Sequence, residues 1–543
     1  MQIDLLIHFF LIEYKKMQNG GNNMIEKTVF SDDEIVAQVK SNYNIITKDI
    51  EHEDRGSANI FYITDDENEK YVFKEFESRC KEEKILKEAQ IVDFLKSKNI
   101  SVPEYVKTVD NKYYFKYKNR IVILMKYITG YTKNPNTGSY EQVIECANLH
   151  GRVLKALENY EKLEQSDIEK WHMKKQIEPA RAKYNKLIKK LGNSEIDKKI
   201  EKDIKYKLEL LDKIEQIDFD GMQYMTFKNC NGDFSIMQFI YENEKIKAVL
   251  DFERAKYMPV GWEIIRSYTY IDKDVKNGEM NIDTFVEYVN EISKYVELNE
   301  FDLKYCAYIY LIQIVGSLYG YKQYNENYEQ TELLNFAIFR TNLCRYLYEH
   351  LDEIGTRLEK EVLEYMKKEK LDVLNERGEF TGIIETREEC HKKGLWHRCV
   401  YAFVIDKDSN ILLQKRSANK KLWPNLWDVT VGGHVDSGEF GRQALIRECK
   451  EELGIDICDK DIKYLVGSCS KTTKGKITNN QFNECYLITK DIDISKIKLQ
   501  EEEVAEIKFF TKDEVLERIN NNYDGLTDKT GPWNFLLKIL EQR

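Results

Sequence analysis

Three glutamates crowd one helical turn near the C-terminus, and no other feature constrains the chain as tightly. Glu448, Glu451 and Glu452 stand at i, i+3 and i+4, so their carboxylates share one face of a helix. Like charges so placed repel each other, and stability alone does not put them there. Divalent cations among them remove the repulsion, because Mg²⁺ seeks oxygen ligands and commonly takes substrate phosphates too. The neighbouring residues fit such a site. Glu439 lies about two turns before Arg447, within reach of pairing with it, and Gly454 suits a helix stop. Gly432-Gly433 lets the chain turn tightly and present a backbone oxygen to a metal. An ordinary acidic surface helix needs none of these positions.

The rest of the composition narrows the class. A chain of 543 residues is long enough for several domains, and six prolines are far below the usual share of about 5%. Helix-rich domains without a Pro-rich linker follow. A net charge of −11 argues against a nucleic-acid partner that needs a broad basic face. Eleven cysteines show neither C-x-x-C nor zinc-type Cys/His spacing, and read as reduced core thiols of a cytoplasmic protein. Leu5 to Ile12 is apolar but only eight residues long, and a membrane span needs about 20. No membrane partner is expected.

Residues 1–23 are expected to precede the start of the natural protein at Met24, since Gly20-Gly21 can be encoded by a purine-rich ribosome-binding sequence. The remainder divides into 24–368 and 369–543. In the first part, Asn59–Thr64 and Lys70–Phe76 alternate around a charged turn and predict a hairpin, and Lys81–Ser97 has helical apolar spacing. From about 138 the pattern is mainly helical, broken by strands and loops near 221–256. Strands return from about 371.

The C-terminal run, with Gly433, Glu439, Arg447, Glu448, Glu451, Glu452 and Gly454 in register, resembles the Nudix box. Cys449 stands where an aliphatic residue is usual. The resemblance implies an α/β/α sandwich and Mg²⁺- or Mn²⁺-dependent cleavage of a diphosphate linked to another group. Glu448, Glu451, Glu452 and Gly433 are then the metal site, and Arg447 with Glu439 orients the helix. Water is activated by Glu451 or Glu452, or by Glu502 or Glu503 outside the box. Lys415 and Arg416 are candidate phosphate contacts, against the plainer reading of an exposed basic strand end. Flanking segments such as Gly394–Arg398 and Trp423–Asp428 resemble the branch related to isopentenyl-diphosphate isomerase. Those isomerases carry a cysteine just before a T-C-C-S-H histidine, whereas this chain reads Thr430-Val431-Gly432-Gly433-His434. Hydrolysis is therefore the expected chemistry, with isomerisation the alternative. His397 and His434 are read as structural in preference to metal or phosphate ligands.

The N-terminal part holds a second constellation. Lys74 interrupts an apolar strand, Glu88 follows on the next helix, and Gly56-Ser57 precedes the hairpin. Asn231-Gly232-Asp233 leads to Gln238, and Asp251 closes a later strand. One aspartate to receive a proton, a second to hold Mg²⁺ and a lysine to clamp phosphate are what phosphoryl transfer requires. The pattern resembles the aminoglycoside/choline phosphotransferase family and implies an α+β, two-lobed, protein-kinase-like fold. By that resemblance Asp233 is the catalytic base, Gln238 and Asp251 hold metal, and Lys74, Glu88, Gly56 and Ser57 bind ATP. Asn231 and Gln238 depart from the family's His and Asn, so a non-catalytic nucleotide-binding module is the alternative. The whole chain is expected to be a bifunctional phosphate-handling enzyme using Mg²⁺ or Mn²⁺ and ATP on small phosphorylated metabolites.

Overall fold

The computed structural model describes residues 26–53, 58–166, 173–217, 220–420, 422–475, 477–527 and 530–542. The expected leader and the Gly56-Ser57 turn lie outside the described residues. The chain forms two compact units, Met1–Met366 and Lys367–Arg543.

The first unit opens with a helix, Asp32–Tyr43, whose first turn is closed reciprocally by Ser31 and Glu34. Its Ile35, Val39 and Tyr43 pack on a six-stranded sheet. The predicted hairpin is present as antiparallel strands Asn59–Asp65 and Lys70–Phe76, with Phe61 opposite Phe73. Strand period two sends Phe61, Ile63, Phe73, Val122 and Leu124 into one shared core. The predicted helix spans Glu82–Ser97 and turns Ile85, Ala89, Val92 and Leu95 inward. The remainder is helical, interrupted by two small sheets, Phe227–Cys230 with Lys256–Pro259 and Phe239–Glu242 with Lys245–Val249. Its last helix runs Thr331–Met366. The sequence suggests helix to Lys370, but the backbone from Lys370 to Leu374 pairs as a strand with Phe380–Thr386.

The second unit is built around strand Trp396–Ile405. This strand pairs antiparallel with Ile411–Arg416 and Val431–His434, and parallel with Ile477–Ile488. Alternation along it feeds two cores. Val400, Ala402 and Val404 pack under helix Gly441–Leu453, touching Ala444, Leu445, Cys449 and Leu453. Cys399, Tyr401 and Phe403 face the other way, toward Trp533, Leu536 and Leu540 of helix Thr530–Gln542. An α/β/α sandwich results. Cys449 is fully buried and substitutes for an aliphatic residue as a small apolar side chain. Gly454 ends its helix at φ 64°, the left-handed geometry that favours glycine.

Eight of the eleven cysteines are buried, Cys458 and Cys469 are exposed, and none is in a disulfide. No helix among the described residues is long and apolar enough to cross a membrane.

Candidate functional site

Helix Gly441–Leu453 delivers the three glutamates to a cleft of about 990 Å³ in the second unit. Glu448 and Glu452 are almost buried, and Glu451 is half exposed. The Glu452 carboxylate accepts from Gln414 Nε2 at 3.2 Å and from the Gly432 amide at 3.4 Å. Burial pushes the Glu448 carboxyl up to about 7. Burial, with Glu448 and Glu503 beside it, pushes Glu452 up to about 8. Both carboxyls therefore retain protons near neutrality until a cation replaces them. A Cβ at Gly433 would overlap the Glu448 carboxylate, so any larger residue there would displace that side chain.

Arg447 does more than the sequence implies. It grips Glu439 through Nε and Nη2 at 3.2 and 2.9 Å, and Nη2 also reaches the His434 carbonyl at 3.0 Å. Its Nη1 donates to Glu448 at 2.9 Å and Glu451 at 3.2 Å. One guanidinium thus ties the entry loop to the helix and partly offsets the acidic face.

Glu502 and Glu503 line the same cleft, and Glu503 is ion-paired with Lys420. Arg416 also lines it, but its guanidinium turns to Asp428 at 3.1 Å and the Leu422 carbonyl at 3.2 Å, which anchors the Trp423 loop. Lys415 is outside the lining residues. Strand alternation points it away from Gln414's side, toward Glu506 at 3.9 Å and the Trp427 ring at 5.9 Å. Of the two candidate phosphate contacts, Arg416 thus lines the cleft and Lys415 does not.

The fold also assembles a cluster that spacing does not reveal. His391, His397 and His434 bring ligand nitrogens within 4.8 Å of one another in the cleft wall. Nδ1 of His434 lies 3.1 Å from Glu369, and Nδ1 of His397 lies 2.9 Å from the Leu395 carbonyl. Each Nδ1 therefore carries the proton, and each Nε2 keeps its lone pair. All three Nε2 atoms are buried without a hydrogen-bond partner. Burial holds the three imidazoles neutral, with values lowered to about 4. Neutral, converging imidazoles are a donor set for a first-row transition metal. The sequence reading takes His397 and His434 as structural and does not single out His391; the structure brings the three side chains together. Co²⁺ titration of the full chain, followed by visible absorption, should lose one equivalent on H391A or H397A and keep it on E452Q. Unchanged spectra in the histidine variants would refute the assignment.

Three further cleft residues went unpredicted. Gln481 donates to Cys399 Sγ at 2.8 Å and accepts from the Tyr401 hydroxyl at 3.0 Å. All three sit on neighbouring strands with inward register, so only pairing brings them together.

The first unit gathers most of its candidate residues. Asn231 accepts from the Asp233 amide at 2.9 Å and donates to the Asp251 carbonyl at 3.0 Å, so it does the structural work expected of the family's His. Asp233 is buried, ion-paired with Arg266, and lies 3.5 Å from Gln238 Nε2. Asp251 sits at φ 62°, a backbone region non-glycine residues rarely occupy outside constrained sites. Glu88 accepts from the Phe252 amide at 3.4 Å, and Lys74 lies over the Phe76 ring at 4.7 Å. Glu263 holds the Gly232 amide and pairs with His150, which stacks on Phe234. His150 lies in the stretch Asn148–Gly151, and Glu263 and Arg266 in Met258–Arg266, two segments whose sequence also fits the phosphotransferase resemblance, although neither takes a role from it.

Comparison with known proteins agrees with both halves. A NUDIX domain model matches residues 395–529, and a phosphotransferase enzyme family model matches 51–281. An uncharacterized Nudix hydrolase of Listeria innocua is 35% identical over 176 residues, 32% of this chain and 94% of that protein. Nudix hydrolase 3 of Arabidopsis thaliana is 34% identical over 187 residues, covering 33% of this chain but only 24% of the plant protein. The chain thus spans about a quarter of that relative. Isopentenyl-diphosphate Delta-isomerase of Salmonella heidelberg is 30% identical over 116 residues, 21% of this chain and 64% of the isomerase. Among solved structures, an aminoglycoside phosphotransferase from Alicyclobacillus acidocaldarius is 15% identical, covers 62% of this chain and 99% of its own, and has a TM-score of 0.45.

Proposed function

The chain belongs to the Nudix hydrolase family, and from that premise we propose that its second unit hydrolyses a diphosphate linked to a small metabolite, with Mg²⁺ or Mn²⁺ bound by Glu448, Glu451 and Glu452. One observation carries this reading: two acidic side chains, Glu448 and Glu452, lie largely buried on one helical face in a cleft that is open to a substrate. Such a pair costs stability unless a cation joins it. The bound ion supplies charge neutralisation for the phosphates and a more acidic water. The three glutamates offer oxygen donors, which suit Mg²⁺. Glu451, Glu502 or Glu503 takes the proton of the attacking water, while Arg447 keeps the helix and its entry loop in register.

The first unit is proposed to transfer phosphate from ATP to a small-molecule hydroxyl, with Asp233 as base, Gln238 and Asp251 toward metal, and Lys74 and Glu88 toward ATP. The joining of the two units supports substrates of related chemistry. The domain limits proposed are 24–368 and 369–543.

Isomerisation keeps one observation in its favour. Cys399 places a thiol in the cleft on the strand beside Gly432, although the motif cysteine is absent. A screen of nucleoside, sugar and isoprenoid diphosphates tests both readings. Mg²⁺-dependent phosphate release, lost in E451Q and E452Q, is expected. Double-bond migration in isopentenyl diphosphate without phosphate release would favour isomerisation, and neither product would defeat both.

A further inference from the structure

Arg266 makes a contact to which the sequence pattern assigns no role. Helix Val260–Ile271 presents Glu263 and Arg266 one turn apart to the loop Asn231–Asp233. Glu263 takes the Gly232 amide, and Arg266 Nη2 donates to Asp233 Oδ1. Both members of the latter pair are almost buried, at 5% and 2% side-chain exposure. The guanidinium lies near the Trp262 and Tyr270 rings, 5.6 and 5.1 Å from their centroids. Its position is therefore held from several sides.

The two Asp233 oxygens are not equivalent. Oδ1 is engaged by Arg266. Among the described residues, Oδ2 is approached by Gln238 Nε2 at 3.5 Å and Arg254 Nε at 3.9 Å, both too long for strong hydrogen bonds. We propose that Arg266 is a positioning residue for phosphoryl transfer, anchoring Asp233 through Oδ1 so that Oδ2 is the atom that receives the acceptor's proton. The proposal rests on the phosphotransferase reading of this unit. In the step, the acceptor oxygen bonds to the γ-phosphorus while the bond from that phosphorus to the β–γ bridging oxygen breaks. ADP leaves with the electron pair, and the acceptor's proton passes to Oδ2. An ion pair so buried is costly to break, and the planar guanidinium fork fixes the carboxylate's rotamer. The charged and titratable groups around the loop are Arg266 and Glu263 from helix Val260–Ile271, Arg254 and Asp251 from the loop after Lys245–Val249, and His150 from helix Tyr140–Leu157.

The test measures MgATP turnover to ADP, with water and simple alcohols as acceptors, in full-length protein. All variants carry E452Q so that the second unit contributes none. R266Q should lower kcat about 10²-fold with KM for ATP nearly unchanged. R266K should recover part of the rate. A fall in kcat matched by an equal rise in KM for ATP, or one that R266K does not relieve, would assign Arg266 a purely structural role and overturn the proposal, as would no fall at all. If R266Q does not fold, R266K decides: reduced kcat at unchanged KM supports the proposal, and unchanged kcat overturns it. Turnover that survives D233N defeats the phosphotransfer reading itself, and the proposal with it.

Discussion

Glu452→Gln should reduce Mg²⁺-dependent phosphate release by about 10³-fold or more, the equivalent of ~4 kcal/mol of transition-state stabilisation. Glu448→Gln should behave alike, since both carboxylates face the same cleft. The same substitution should make the metal-free protein more resistant to heat. Glu452 is raised to about 8 and Glu448 to about 7, against an unfolded value near 4.5. Between pH 4.5 and 8 the folded state therefore binds more protons than the unfolded one, and stability falls as pH rises through that window. Each unit of the rise corresponds to about 1.4 kcal/mol. Thermal melts without metal should drop from pH 5.5 to 8.5 in the wild type and less steeply in E452Q. Added Mg²⁺ should restore wild-type stability most at the higher pH, where the carboxylates release their protons readily. If E452Q melts higher and still hydrolyses every diphosphate that the wild type does, the acidic face has no catalytic use.

Asp233→Asn should remove ATP-dependent phosphoryl transfer, with kcat falling by about 10²- to 10⁴-fold, the usual worth of a general base. Nucleotide affinity should change little, because Lys74, Glu88 and Asp251 are untouched. Stability is a separate cost. Replacing Asp233 leaves Arg266 facing a neutral amide in a buried site, and breaking such a pair typically costs about 3–5 kcal/mol. Melting and nucleotide binding must therefore accompany the turnover assay, run over a panel of alcohols and amines. Equal turnover in wild type and variant would remove Asp233 as the base, and none in either with nucleotide still bound would make the unit a binding module. Asn231 bears on this choice: it already anchors both the Asp233 amide and the Asp251 carbonyl, so its departure from the family pattern does not disorder the loop.

Local patterns made much of this protein legible before any tertiary information. Glutamates at i, i+3 and i+4 must share a face wherever the helix lies, and a glycine that stops a helix does so by local backbone geometry. The hairpin and the helix Glu82–Ser97 followed equally from period two and period 3.6. Tertiary structure alone decided what these elements meet. His391, His397 and His434 converge because a short helix and two paired strands meet at one wall of the cleft, and no sequence spacing encodes that meeting. Lys415 faces away from the cleft because strand alternation, set by pairing, commits Gln414 to Glu452. Arg266 finds Asp233 across 33 residues through the packing of a helix against a loop. Short-range periodicity determines which side chains share a surface, whereas burial and long-range pairing determine which charges must be neutralised, and by what.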